Sequence, residues 1–188
     1  LAVFEHLTSV RLRGGPGQLE QLALPRLTAF TLETGSLSAA TLATIAAAPW
    51  PRLERLEVWF GSYNSEVTAT HVEAFLKRLE APALRHLGLR ACTMAHEVVP
   101  LLARWPQLRA LSSVDLSMGG LQRDDVEALR DAWPAFNHLA RFDLSDNQLG
   151  PVENTSRTPH PLTCVPQLAE RLRAACPTVV LDPQRSED

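Results

Sequence analysis

The chain has 188 residues, 18 of them basic and 21 acidic, with a formal charge of -3 and 45% hydrophobic side chains. That length suffices for one substantial core, and so balanced a charge gives no reason to bind DNA, RNA or an anionic membrane. Three cysteines, Cys92, Cys164 and Cys176, are an odd number without the dense spacing of a disulfide scaffold, which points to a reducing, cytoplasmic compartment.

The opening run LAVFEHL has neither a basic leader nor a long apolar core, and no stretch is apolar for long enough to span a membrane. A start at Leu1 with a strand only a few residues later reads as a segment cut from a longer chain. Lys77 is the single lysine against many arginines, which fits the codon bias of a GC-rich bacterial genome.

In chain order, the first predicted strand rests on Leu7, Val10 and Leu12 and the second on Leu27, Phe30 and Leu32. A helix follows, capped at Ser36 or Ser38, running to about Ala48 with Leu42 and Ile45 inward, and ended by Pro49. Leu53, Leu56 and Val58 make the third strand. Thr68 or Thr70 caps the next helix, where Val72, Phe75, Leu76 and Leu79 form one face and Glu73 and Lys77 sit outside, four apart. The fourth strand, Leu84, Leu87 and Leu89, precedes a third and shorter helix built on Val98, Val99 and Leu102. Leu111, Val114 and Leu116 give the fifth strand, and Asp124 and Asp125 open a helix that buries Val126, Leu129 and Trp133. The sixth strand is Leu139, Phe142 and Leu144. The polar, proline-rich stretch 151–166 lacks periodicity and reads as a long surface loop, either simply mobile or a carrier of partner contacts. Leu168 and Leu172 then serve a last helix, and Val179 to Leu181 a closing strand.

The six strands share one template, apolar-x-x-apolar-x-apolar, starting at 7, 27, 53, 84, 111 and 139. Three residues beyond each of the last five, Gly35, Gly61, Cys92, Gly119 and Asn147 supply the small or side-chain-bonding residue that a tight turn needs. Two further on, Leu37, Tyr63, Met94, Leu121 and Leu149 return to the core. The sharpest row, LARFDLSDNQLG at Leu139 to Gly150, resembles the leucine-rich repeat family, and the resemblance covers most of the chain. It implies a right-handed α/β solenoid, a horseshoe with a parallel sheet on the concave face and helices on the convex face. Steps of 20, 26, 31, 27 and 28 between row starts leave room for true helices and point to the irregular, helix-rich, ribonuclease-inhibitor-like kind. The whole of 1–188 then forms one domain, closed by a capping helix and strand over 167–182.

Pro51, Pro82, Pro106 and Pro134 stop the helices and set the chain extended before the next strand. In rows five and six three extra residues separate proline from strand, so longer loops are expected there. Trp50, Trp105 and Trp133 each precede such a proline and read as plugs between helix and sheet, with a ligand platform as the alternative.

Strand alternation makes the residues flanking the second and third apolar positions point to solvent. The central and C-terminal contact zone is then Arg55, Glu57, Trp59, His86, Arg90, Asp115, Arg141 and Asp143. Trp59 is the one large aromatic on this face, unless an irregular turn after Val58 buries Trp59 or Phe60. Asp115 and Asp143 fall in one column about 5 Å apart, which calls for a basic partner, a bound cation or neutralisation by Arg90 and Arg141. Arg11, Arg13 and Arg55 make the other end basic, interleaved with Glu33 and Glu57.

No phosphate-binding loop, HExxH or GxSxG motif is present, and the histidines and cysteines lack zinc-ligand spacing. Ser113, His86 and Asp115 could be drawn as a nucleophile, base and acid, but an exposed strand face lacks the enclosed oxyanion site that acyl transfer needs. The expectation is therefore a non-enzymatic module that binds a protein partner through the concave face, without cofactor or metal. The alternative is a structural array holding an upstream functional domain.

Overall fold

An extended segment with one apolar face is stable only when that face is covered, and in this chain each segment covers its neighbour. The computed structural model describes residues 6–15, 19, 22–61, 65–149, 170, 172–174 and 176–181. The strands are β1 (Ser9–Gly14), β2 (Ala29–Thr34), β3 (Arg55–Trp59), β4 (His86–Arg90), β5 (Ser113–Asp115), β6 (Arg141–Asp143) and β7 (Val179–Val180). All seven lie in one sheet whose spatial order is their sequence order, and every neighbouring pair is parallel. The fold is thus α/β.

Register follows the template residue by residue. Val10, Phe30, Leu56, Leu87, Val114, Phe142 and Val179 form one column across the sheet. Ahead of the strands a second regularity appears. The carbonyls of Thr8, Thr28, Glu54, Arg85 and Ser112 each accept two successive N–H groups from the next row, at 2.8–3.3 Å. After the strands, Ala91, Met118 and Asp146 adopt the left-handed conformation at φ of 52°, 58° and 55°. Each directly precedes a turn residue of the repeating template: Cys92, Gly119 or Asn147.

Among the described residues, connections between strands are filled by helices α1 (Ala39–Ala47), α2 (Ala69–Arg78), α3 (Ala95–Arg104) and α4 (Val126–Phe136). Ser38 caps α1 by accepting the Thr41 N–H at 3.1 Å, and the His71 ring accepts the Thr68 N–H at the start of α2 at 3.1 Å. Their inward side chains merge with the apolar face of the sheet in one continuous core. Burial of this kind contributes about 25 cal/mol per Å² of apolar surface and is what the repeated rows share. The tryptophans are plugs: Trp50 donates from Nε1 to the Ile45 carbonyl and Trp105 to that of Leu76, both at 2.8 Å. Trp133 stacks on Phe142 at 6.3 Å between centroids.

Three local expectations are corrected. Pro134 does not end its helix, because α4 continues to Phe136, which is fully buried and stacks on Phe142 at 4.8 Å. That packing outweighs the hydrogen bond proline removes. The extra residues of row five wind into a 3₁₀ turn at Pro106–Ala110 that buries Leu108. And α3 matches α2 in length at 10 residues despite Pro100 inside it, because Val98, Val99 and Leu102 are buried on one stripe. Tyr63, the 151–166 loop and Leu168 lie outside the described residues. No helix among the described residues is long and apolar enough to cross a membrane.

Candidate functional site

The polar face of the sheet is ordered in columns by the same register. One column runs Arg55, His86, Ser113, Arg141, and the next Glu57, Gly88, Asp115, Asp143. Together they enclose a concavity of about 440 Å³ lined by Arg55, Glu57, His86, Arg90, Asp115, Arg141, Asp143 and Ser113 among others. Seven of the eight contact residues read from the sequence line it. The eighth, Trp59, ends β3 at its margin, half-buried under the Arg90 guanidinium, 4.4 Å from the ring centroid. Phe60 is the neighbour that turns into the core, at 1% exposure.

The expectation that these side chains all point freely to solvent is corrected for the carboxylates. Glu57, Asp115 and Asp143 are only 8%, 9% and 7% exposed. Same-face positions on one strand lie about 7 Å apart and adjacent strands about 4.8 Å apart, both within reach of a long arginine folding over a shorter acid. Arg55 pairs with Glu57, and Arg141 donates to Asp143 Oδ2 at 2.6 Å. Arg90 sits 3.6 Å from Asp115 and donates to Ser117 Oγ at 2.9 Å. Backbone groups complete the floor: Asp115 Oδ1 accepts the Ser117 N–H at 2.8 Å, and Asp143 Oδ1 accepts the N–H of Ser145 at 3.0 Å and its hydroxyl at 2.7 Å. At the far end Glu33 is covered in the same way by Arg11 and Arg13. Neutralisation by arginine, one of the three outcomes open for Asp115 and Asp143, is what occurs. No group of three or more His, Cys, Asp or Glu side chains among the described residues is placed to hold a metal ion.

These contacts set the protonation of the floor. The close approach of His86, with Arg55 behind it, holds Glu57 below the ordinary carboxylate value against the opposing effect of burial. Burial alone would raise Asp143, and the hydrogen bonds from Ser145 and Arg141 together bring it down instead. Both are therefore anions at neutral pH, poorly suited to shuttle protons.

His86 and Ser113 do meet, with Nδ1 and Oγ 2.7 Å apart. The acid beside them is not Asp115, whose acceptors face Arg90 and Ser117, but Glu57, 3.3 Å from His86 Nε2. That contact has the distance of an ion pair without good hydrogen-bond alignment, and Nε2 has no better partner. Gly88 was not singled out by sequence reasoning, yet it shapes the concavity. A Cβ there would sit 2.9 Å from Glu57 Cγ. The signal was available: it is the one glycine at an outward strand position, between two carboxylates in its column. The buried thiols take no part, since burial pushes Cys92 and Cys176 up to about 12 and leaves them protonated and inert.

No protein-family profile and no curated protein sequence matches the chain. Among solved structures, the crystal structure of a Bacteroides fragilis protein determined as a structural-genomics target is similar, with a TM-score of 0.69 and 20% sequence identity. The match covers 87% of this chain and 43% of that one, so the chain spans less than half the length of that protein. At that identity the likeness shows the fold alone.

Proposed function

We propose that this chain is a leucine-rich repeat module that recognises a protein partner through the polar face of its sheet. Six rows of one template, each paired in register with the next, support a right-handed horseshoe with the sheet concave and the helices convex. The single observation that carries the functional reading is the 440 Å³ concavity whose lining is the predicted contact zone. A prearranged grid of side chains loses little conformational entropy on binding, which is how a small, polar surface reaches useful affinity. A scaffold role for a neighbouring domain would leave this face unused.

The Ser113, His86 and Glu57 contacts favour a second reading, hydrolysis by a serine nucleophile. Against it, the carboxylate is shared with Arg55, and the strand N–H groups that would form an oxyanion site are engaged in the parallel ladder.

The test is affinity capture from a lysate of a GC-rich bacterium with the native chain and a Trp59→Ala/Arg90→Ala variant matched by circular dichroism, followed by a purified partner in a binding titration. Binding to the native chain that falls about tenfold or more in the folded variant supports the reading. Equal binding by both would move the interface elsewhere, and labelling of Ser113 by a fluorophosphonate would favour the enzyme.

A further inference from the structure

Resting on that reading, we propose that the partner segment is acidic: an extended peptide carrying Glu or Asp at alternate positions, laid across β3 to β6 over Gly88. The argument begins with what the floor has left to offer. Each of its carboxylates is already paired, Glu57 through Oε1 with Arg55 and His86, Asp115 with Ser117 and Arg90, and Asp143 with Ser145 and Arg141. The donors above it are not exhausted. A guanidinium carries five N–H donors; Arg141 commits one to Asp143, and Arg55 is bonded to Glu57 through a single nitrogen.

Exposure has the same sense. The side chains of Arg55 and Arg141 are 50% and 58% exposed, against 10% for each of their carboxylates. A partner therefore meets cations first, although the chain as a whole is acidic. Each carboxylate beneath also fixes its guanidinium in place, so the outward donors are already oriented for a planar bidentate acceptor.

Spacing supplies the pattern. Arg55 and Arg141 stand in one column with His86 and Ser113 between them, so their backbones are three strand spacings apart, about 14 Å. In an extended peptide, side chains on one face repeat about every 7 Å. Acidic residues at the first and fifth positions would reach Arg55 and Arg141. The third would fall over the Ser113 hydroxyl and His86, with Arg90 to the side.

A display library of random peptides, selected on the native chain and screened against a folded Arg55→Ala/Arg141→Ala variant, tests this directly. The expected winners depend on both arginines and carry alternating Glu or Asp. A labelled synthetic peptide of that pattern should bind at least tenfold more weakly to the double variant. It should also lose about tenfold in affinity on moving from low salt to about 0.5 M, and its Gln-for-Glu counterpart should bind no better than a scrambled control. Arginine-dependent winners that are neutral or basic would overturn the acidic assignment and leave the recognition reading standing. Winners indifferent to Arg55, Arg141, Trp59 and Arg90 alike would overturn both. Tighter binding of a single-stranded oligonucleotide than of the acidic peptide would also overturn the assignment, because phosphate would then be the preferred anion.

Discussion

Truncating Asn147 to alanine should cost about 3 kcal/mol of stability although the side chain does not line the concavity. Asn147 is fully buried. Its Oδ1 accepts the Leu121 N–H at 3.1 Å, and its amide donates to the carbonyls of Leu116 and Leu144, both at 3.0 Å. One side chain thus bridges the turns of rows five and six. Alanine would leave the Leu121 N–H buried without a partner, at about 1–3 kcal/mol, and weaken two carbonyls for roughly 1 kcal/mol more. For a chain of this length the sum corresponds to a fall in Tm of about 6–12 °C. Urea unfolding followed by circular dichroism reads it as a lower midpoint at unchanged m-value. The neighbouring Gln148→Ala is the control, since Gln148 contributes its backbone N–H to the Leu121 carbonyl. A loss below about 1 kcal/mol for Asn147→Ala, or one equal to that of the control, would refute the idea that this amide ties the rows together.

Gly61→Ala should lose at least about 3 kcal/mol, because φ is +77° and a Cβ would lie 2.1 Å from the Gly35 carbonyl; Gly14→Ala, with nothing within 4 Å, should leave Tm unchanged, and similar Tm values for the two variants would contradict the close approach of these turns. Glu57 and Asp143 have folded-state pKa values below their ordinary 4.5 and 3.8, so the stability they contribute is present above those values and is lost as pH falls through the folded ones. Asp143→Asn should therefore flatten the decline in urea midpoint between about pH 5 and pH 3, and an unchanged slope would count against the Arg141 and Ser145 contacts.

The strands were legible in the sequence because period-two alternation and a recurring turn residue are local signals, and β1 to β6 fall on the predicted rows. The interior of α4 was not, because the rule that proline ends a helix is a statement about one hydrogen bond, while Trp133 and Phe136 bring burial that only the tertiary structure supplies. The polar face was legible as a set of residues and illegible as a layered arrangement. Alternation tells which side of the sheet a residue occupies. It does not tell that Arg55 reaches over Glu57, or that Gly88 leaves room for the Glu57 side chain, since these depend on side-chain length and on a neighbour 31 residues away in register. The contact of His86 with Ser113 matches the grouping drawn from the sequence, but Asp115 has its acceptors turned toward Arg90 and Ser117, and the carboxylate beside His86 is Glu57, on the strand before it.

The layering of charge resolves a difficulty posed by the architecture itself. A parallel sheet usually has both faces covered, and a column of carboxylates at strand spacing is unfavourable when solvent alone screens it. Here Glu57, Asp115 and Asp143 are each roofed by an arginine from the same strand or its neighbour, so the acids are tolerated without any helix among the described residues having to neutralise them. The same arrangement turns an acidic ladder inside out: its negative charge is internal and its outer surface is guanidinium. Removing an acid would release the arginine above it and blur the donor pattern, whereas removing an arginine would uncover a carboxylate and reverse the sign that a partner meets. On the proposed reading, recognition and fold stability depend on the same pairs, and the shape left above Gly88 follows from which side chain in each pair is the longer.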